Sequence, residues 1–287
     1  MTANPTAPPT FLDGLRRVTP WPVRRFLRSF AEDLSSVPRR LRDPAVRNDP
    51  WHLVHNVGGG GYLQRGLVNL EIVERQGPVQ PNEQILDIGC GHGALAAALL
   101  DRLGADGGYV GFDVARAGIR YAQHRFASIR PDFRFVHAAV RNPEYGMRDG
   151  GAGKDYRFPA ADATFTRAAA LSLFTHLSAE DGAAYMLEAG RCLRPEGLLI
   201  ATFYLLDDGS RAAIAAGRAR RLFVHPALGG FTNNPERPEA GIAFDRSLVL
   251  GWLNAAGLEL AQITEGDWRA PTLGLGGQDI LVARRAG

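Results

Sequence analysis

The sequence predicts an α/β protein: a doubly wound, seven-stranded sheet, mostly parallel with the last strand antiparallel, preceded by an N-terminal helical arm and interrupted by a lid insertion after the fifth strand. Three observations predict it. From residue 84 onward, apolar runs of strand length alternate with segments of helical period, which implies parallel strands covered on both faces. The first run ends in a glycine-rich turn that opens a helix. A stretch rich in Gly, Asn and Pro breaks the rhythm after the fifth run.

The strands are expected at 84–88, 108–113, 133–140, 164–170, 197–205, 258–263 and 278–283. The helices between them are expected at 93–104, 116–127, 178–193 and 245–256. Leu95, Leu99 and Leu103 share one face of the first, and Ser178 with Asp181 forms a capping box on the third. A helix over 63–75 precedes the sheet. Residues 206–244 hold a short helix near 210–221 and then Pro226, Gly229–Gly230, Asn233–Asn234 and Pro235, which suit an irregular, mobile cover.

Residues 1–55 are expected to be a disordered tip and a basic amphipathic arm, and 56–287 the main domain with 206–244 as its lid. Residues 11–47 hold nine Arg among spaced apolar residues that include Phe26, Leu27, Phe30, Leu34 and Leu41. Packing on the main domain is the favoured reading of this arm, and association with a membrane or other anionic surface is the alternative.

Composition narrows the function classes. The chain is 45% hydrophobic and 22% charged with a net charge of +3, so no nucleic-acid partner is required. Cys90 and Cys192 lie in no metal-ligand pattern, so no metal is expected. The N-terminal stretch lacks an apolar signal core, and no run reaches the roughly 20 residues of a membrane span. A cytoplasmic setting is therefore expected.

The chemistry concentrates in Ile85-Leu86-Asp87-Ile88-Gly89-Cys90-Gly91-His92-Gly93. Glycines at alternate positions let the backbone turn sharply and let a ligand approach it. The helix that follows offers its N–H groups. Asp113 ends the second strand, where a carboxylate can accept both hydroxyls of a ribose. Two plainer readings stand beside these: Asp87 as a turn-stabilising carboxylate, and Asp113 as a helix N-cap. The spacing is G-x-G-x-G, not the G-x-G-x-x-G of dinucleotide enzymes.

ILDIGCGHG resembles motif I of the class I S-adenosylmethionine-dependent methyltransferases, and YVGFDVA resembles their acidic-strand motif. FPAADATFTRAAALSLFTHL and LRPEGLLIATFYLL are similar to the fourth-strand and following segments. The resemblance implies a Rossmann-like fold and S-adenosyl-L-methionine as cofactor. Gly89, Gly91 and Gly93 would line its methionine and ribose, Asp113 would bind the ribose, and Val114 would pack on adenine. The Val140–Asn142 turn would close over the adenine edge. Gly59, Gly60 and Tyr62 would cap the amino-acid end, and Leu171 and Ser172 would lie beneath the methyl. HNVGGGGY, HAAVRNPEYG and GDWRAPTLGLGGQDILV resemble a bacterial subgroup, some of whose members occur alongside glycosyltransferases. That implies a small-molecule acceptor, with O-methylation of a sugar or secondary metabolite hydroxyl.

Two departures from the family stand out. Ala138-Ala139 replaces an acidic residue that would accept the adenine amino group, a loss of about 1 kcal/mol. Arg167 interrupts the fourth strand, with Asp162 as a suggested partner. For a base, His176 is the best-placed imidazole, with a structural role equally open to it. His225 in the insertion and Tyr204 at the end of the fifth strand are further candidates, with surface and core roles as their alternatives. A non-methylating cofactor-binding protein and a nucleic-acid methyltransferase are the rival functions.

Overall fold

A computed structural model describes residues 21–43, 47, 49–52, 61–141, 150–270 and 277–287. The chain divides into two units, 1–59 and 60–287. The first holds helix α1 (Trp21–Arg42), on which the chain folds back. The Arg40 guanidinium donates to the carbonyls of Asp49 (2.6 Å) and Pro50 (3.1 Å) and lies 4.0 Å over the Trp51 ring. Asp33 accepts from the His52 ring at 2.9 Å.

The second unit has strands β1 (Gln84–Ile88), β2 (Gly108–Asp113), β3 (Arg134–His137), β4 (Phe165–Ala170), β5 (Leu193–Phe203), β6 (Leu205–Leu206), β7 (His225–Ala227), β8 (Gly230–Thr232), β9 (Ile242–Asp245), β10 (Leu258–Thr264) and β11 (Asp279–Arg285). Its α-helices are α2 (Tyr62–Val73), α3 (Ala94–Leu99), α4 (Arg116–Phe126), α5 (Ala179–Cys192), α6 (Asp208–Ala215) and α7 (Arg246–Ala255). Seven strands form the main sheet in the order β10-β11-β5-β4-β1-β2-β3. Only β11 runs against the others, inserted between β5 and β10. This is the Rossmann-like, doubly wound sheet with its last strand reversed.

Alternate residues of the central strands feed two cores. Leu86, Ile88, Ala168 and Leu199 pack with Met186 of α5 and Val249 of α7 on one face. Ile85, Tyr109 and Ala169 pack with Leu70, Leu95, Leu99 and Ile119 on the other. Both faces of the strands are buried, hence their continuous apolar runs. Ser178 caps α5 by accepting from the Asp181 N–H at 3.1 Å, which satisfies an otherwise orphaned donor.

Arg167 does not meet Asp162. It forms a two-pronged pair with Glu83, at 2.9 and 3.0 Å, and donates to the carbonyls of Val73 (2.8 Å) and Gly77 (3.1 Å). Arg157 and Arg191 take Asp162 instead. Both Arg167 and Glu83 are buried, and all three guanidinium nitrogens donate, which offsets the cost of desolvating the charges. The pair fastens the end of α2 to the start of β1, at the opposite end of the strands from the glycine turn.

The segment after β5 is regular, which corrects the expectation of an irregular cover. β6, β9, β8 and β7 form a second, four-stranded sheet in that order. The helix there spans Asp208–Ala215, set by a capping box between Asp207 and Ser210, and is shorter than the 210–221 expected. Leu228 and Gly229, both at positive φ, make the two-residue turn of the β7–β8 hairpin. A network seats the segment on the main sheet. The fully buried Asp279 carboxylate accepts from the N–H groups of Leu205 (2.7 Å) and Gly266 (2.8 Å) and from Trp268 Nε1 (3.0 Å). Arg269 bridges Asp279 to Asp207. Among the described residues, no helix is long and apolar enough to cross a membrane.

Candidate functional site

The turn after β1 is held by backbone that L side chains seldom adopt: Gly89, Gly91 and Gly93 have φ of 81°, 55° and 74°. A Cβ on Gly89 would also meet the Leu173 side chain at 3.1 Å. The N–H groups of Gly89 and Cys90 both donate to the Phe112 carbonyl at the end of β2. Gly93 leads into α3, so the turn sits where the β1 and β2 carboxyl ends meet a helix N-terminus.

Asp113 organises the next layer. One carboxylate oxygen accepts from the Gly91 N–H at 2.9 Å and the other from the Ala115 N–H at 2.6 Å. Burial raises its pKa, while those N–H groups and the nearby His137 oppose the rise. Asp87 lies deeper. Burial pushes it up to about 7, against the hydrogen bond it accepts from the Tyr109 hydroxyl at 2.6 Å, and the charge of Asp113 adds to the rise.

Tyr62 supports the turn from α2. Its hydroxyl donates to the carbonyls of Gly93 (2.8 Å) and His92 (3.1 Å), and its ring meets Tyr121 edge-on. Across the sheet, Leu171 and Ser172 follow β4. Ser172 has φ 55° and its N–H donates to the Thr202 hydroxyl at 2.7 Å. The Thr202 and Ser172 hydroxyls both donate to Gln278 Oε1, at 2.5 and 3.3 Å. The carboxyl ends of β1, β2, β4 and β5 thus converge on one polar edge, where ligands of open α/β sheets bind.

Residues 85–197 match a family model described as a methyltransferase domain. The cofactor of methyltransferase domains with this fold is S-adenosylmethionine. The chain is 29% identical over 161 residues to an O-methyltransferase of Pyrenophora dematioidea, a match that covers 56% of this chain and 54% of the relative. It thus spans about half the length of that curated relative. Among solved structures, the phosphoethanolamine N-methyltransferase 1 of Haemonchus contortus, in complex with phosphoethanolamine and S-adenosylhomocysteine, aligns with a TM-score of 0.51 at 14% identity, over 78% of this chain and 43% of the other. The putative methyltransferase of Haloferax volcanii, in complex with the Trm112 activator, aligns with a TM-score of 0.51 at 14% identity, over 78% and 92%. At these identities the two structures establish the fold alone.

The fold brings together Asp87, Gly89, Gly91, Gly93 and Asp113 as one constellation, with Val114 half-buried beside it and Leu171 and Ser172 just after the neighbouring strand. Val140 is buried just beyond β3. Gly59, Gly60 and Asn142 lie outside the described residues. Tyr62 meets the turn through its carbonyls, a role that supports the loop's shape. His176 closes a short 3-10 turn after β4, and its Nδ1 donates to the Glu239 carbonyl at 2.7 Å. His225 is exposed on β7. Tyr204 is buried among Phe223 and Trp268, with ring centroids at 4.8 and 5.6 Å, so it has a packing role. Sequence reasoning missed His137, in register beside Asp113, whose buried Nε2 has no hydrogen-bond partner. It also missed Thr202 and Gln278. Their 76-residue separation leaves no local signal.

Proposed function

We propose that the chain transfers the methyl group of S-adenosylmethionine to a hydroxyl of a small molecule, a sugar or a secondary metabolite. The observation that carries this reading is the clamp of Asp113 on the Gly91 and Ala115 N–H groups, which aims a half-buried carboxylate at the mouth of the glycine turn. The cofactor supplies an already activated methyl group, so the protein's part is alignment and the exclusion of water. The O-methyltransferase relative supports oxygen as the acceptor atom.

In this reading Asp113 holds the ribose, Gly89, Gly91 and Gly93 admit the chain of the cofactor against their backbone, and Leu171 and Ser172 floor the methyl. His176 serves as the base. With Nδ1 donating to Glu239, the neutral imidazole has Nε2 as its acceptor nitrogen. Residues 206–244 cover the acceptor. The β7–β8 hairpin tip is set on α5, with the Ala179 N–H donating to the Leu228 carbonyl at 2.8 Å.

Calorimetric titration with S-adenosylhomocysteine tests the cofactor, and transfer of label from S-adenosylmethionine to a panel of hydroxylated glycosides and phenols tests the reaction. Binding without transfer to any acceptor would leave a cofactor-binding protein of another function. Absence of binding would remove the reading altogether.

A further inference from the structure

Helix α1 carries an apolar stripe that the other described residues of its unit leave open. Val23, Phe26, Leu27, Phe30, Leu34 and Leu41 are each between 46% and 72% exposed, and the Phe26 and Phe30 rings stack 6.4 Å apart. Their spacing of three and four places them on one face of a helix. The sequence of the helix has six Arg against Glu32 and Asp33. Of these, Arg28, Arg39 and Arg42 are exposed. Arg40 and Asp33 are engaged with residues 49–52 of the same unit.

Beside the main domain of the same chain, two outside occupants suit such a face. A second copy would pair Leu27, Leu34 and Leu41 with Val23, Phe30 and Val37 in heptad fashion. Flanking positions would then need opposite charges to set the pairing. They hold Ala31 and Pro38 on one side and Phe26, Asp33 and Arg40 on the other, with no complementary pattern. Two such helices would also bring like charge together. A bilayer with acidic headgroups fits better: the Phe and Leu side chains enter the acyl boundary while the arginines meet the anionic headgroups.

We propose that α1 lies in the surface of an acidic bilayer and anchors the chain there. The test is sedimentation of the full chain with vesicles of phosphatidylglycerol and phosphatidylcholine, and with phosphatidylcholine alone. The chain is expected to pellet with the acidic vesicles, far less with the neutral ones, and to be released severalfold by about 1 M salt. Phe30→Ser with Leu34→Ser is expected to lower the partition coefficient by about 100-fold. Arg28→Glu with Arg39→Glu leaves the apolar stripe intact and is expected to abolish the preference for acidic vesicles. Far-ultraviolet circular dichroism of each variant checks that the fold persists. No pelleting of the unaltered chain overturns the proposal, as does pelleting that neither pair of substitutions changes. A dimer in solution that Phe30→Ser with Leu34→Ser disperses, without vesicle binding, assigns the stripe to a second copy instead.

Discussion

At the scale of single residues the site is a set of carboxylates under backbone control. Asp113→Ala is expected to weaken S-adenosylhomocysteine binding by about 1.5–3 kcal/mol, the value of charge-assisted hydrogen bonds, as measured by calorimetry. Because the same oxygens hold the Gly91 and Ala115 N–H groups, the variant should also unfold at lower urea. Asp87 makes a pH prediction. Its pKa of about 7 in the folded protein stands above the unfolded value of about 3.9. Between those values the folded state keeps a proton that the unfolded state has lost. Stability therefore falls as pH rises from about 4 to about 7 and levels off above. Urea midpoints across that range should show the decline, and Asp87→Asn should flatten it. An unchanged slope in that variant would place the titrating group elsewhere. These two acids were legible in the sequence because glycine spacing and strand length fix where they stand. Arg167 was not, because its partner Glu83 is 84 residues away and no local pattern records the pairing. The core role of Tyr204 was legible, but its partners were not, since Phe223 and Trp268 arrive from two other segments.

At the scale of elements, periodicity served where strands were buried on both faces and failed where turn chemistry decided. The seven strands of the main sheet were all legible as apolar runs, with β3 ending earlier than expected and β5 starting at Leu193. The small sheet was not legible, since β6, β7 and β8 are two or three residues each. The turn at Leu228–Gly229 also places a leucine at φ 53°, where turn rules favour Asn or Gly. This hairpin offers a test of the acceptor cover. A Cβ on Gly229 would stand 2.5 Å from the Ala179 Cβ, in backbone already at φ 79°. Gly229→Ala should therefore lift the hairpin from α5 at a cost of more than about 1 kcal/mol. Turnover is expected to drop while S-adenosylhomocysteine affinity stays within about twofold. Equal loss of both would make the segment part of the cofactor site, and full activity would deny it a role in acceptor binding.

At the scale of the whole molecule, cofactor binding and folding are linked. S-adenosylhomocysteine at 100 times its Kd should stabilise the chain by about 2.7 kcal/mol, a rise in Tm of roughly 5–10 °C for a unit of this size. Scanning calorimetry checks it. The same shift is expected after dialysis against a chelator, since no cluster of metal-ligating residues occurs among the described residues. A shift that the chelator abolishes would require a metal bound elsewhere.

The reversed strand has a consequence for how the molecule is made. β11 comes last in chain order yet lies between β5 and β10. On the ribosome, both neighbours emerge first, each with a row of unpaired N–H and C=O groups that any stray strand could copy. The Asp279 carboxylate, which holds Leu205, Gly266 and Trp268, arrives with that same strand. Until then the second sheet lacks that tie to the first, although Leu205, Ile242 and Phe244 already share its core. A nascent chain is thus most prone to clump between the synthesis of β5 and that of β11, and chains halted before residue 277 should pellet after translation in a cell-free extract, whereas chains carried through Arg285 should stay dispersed.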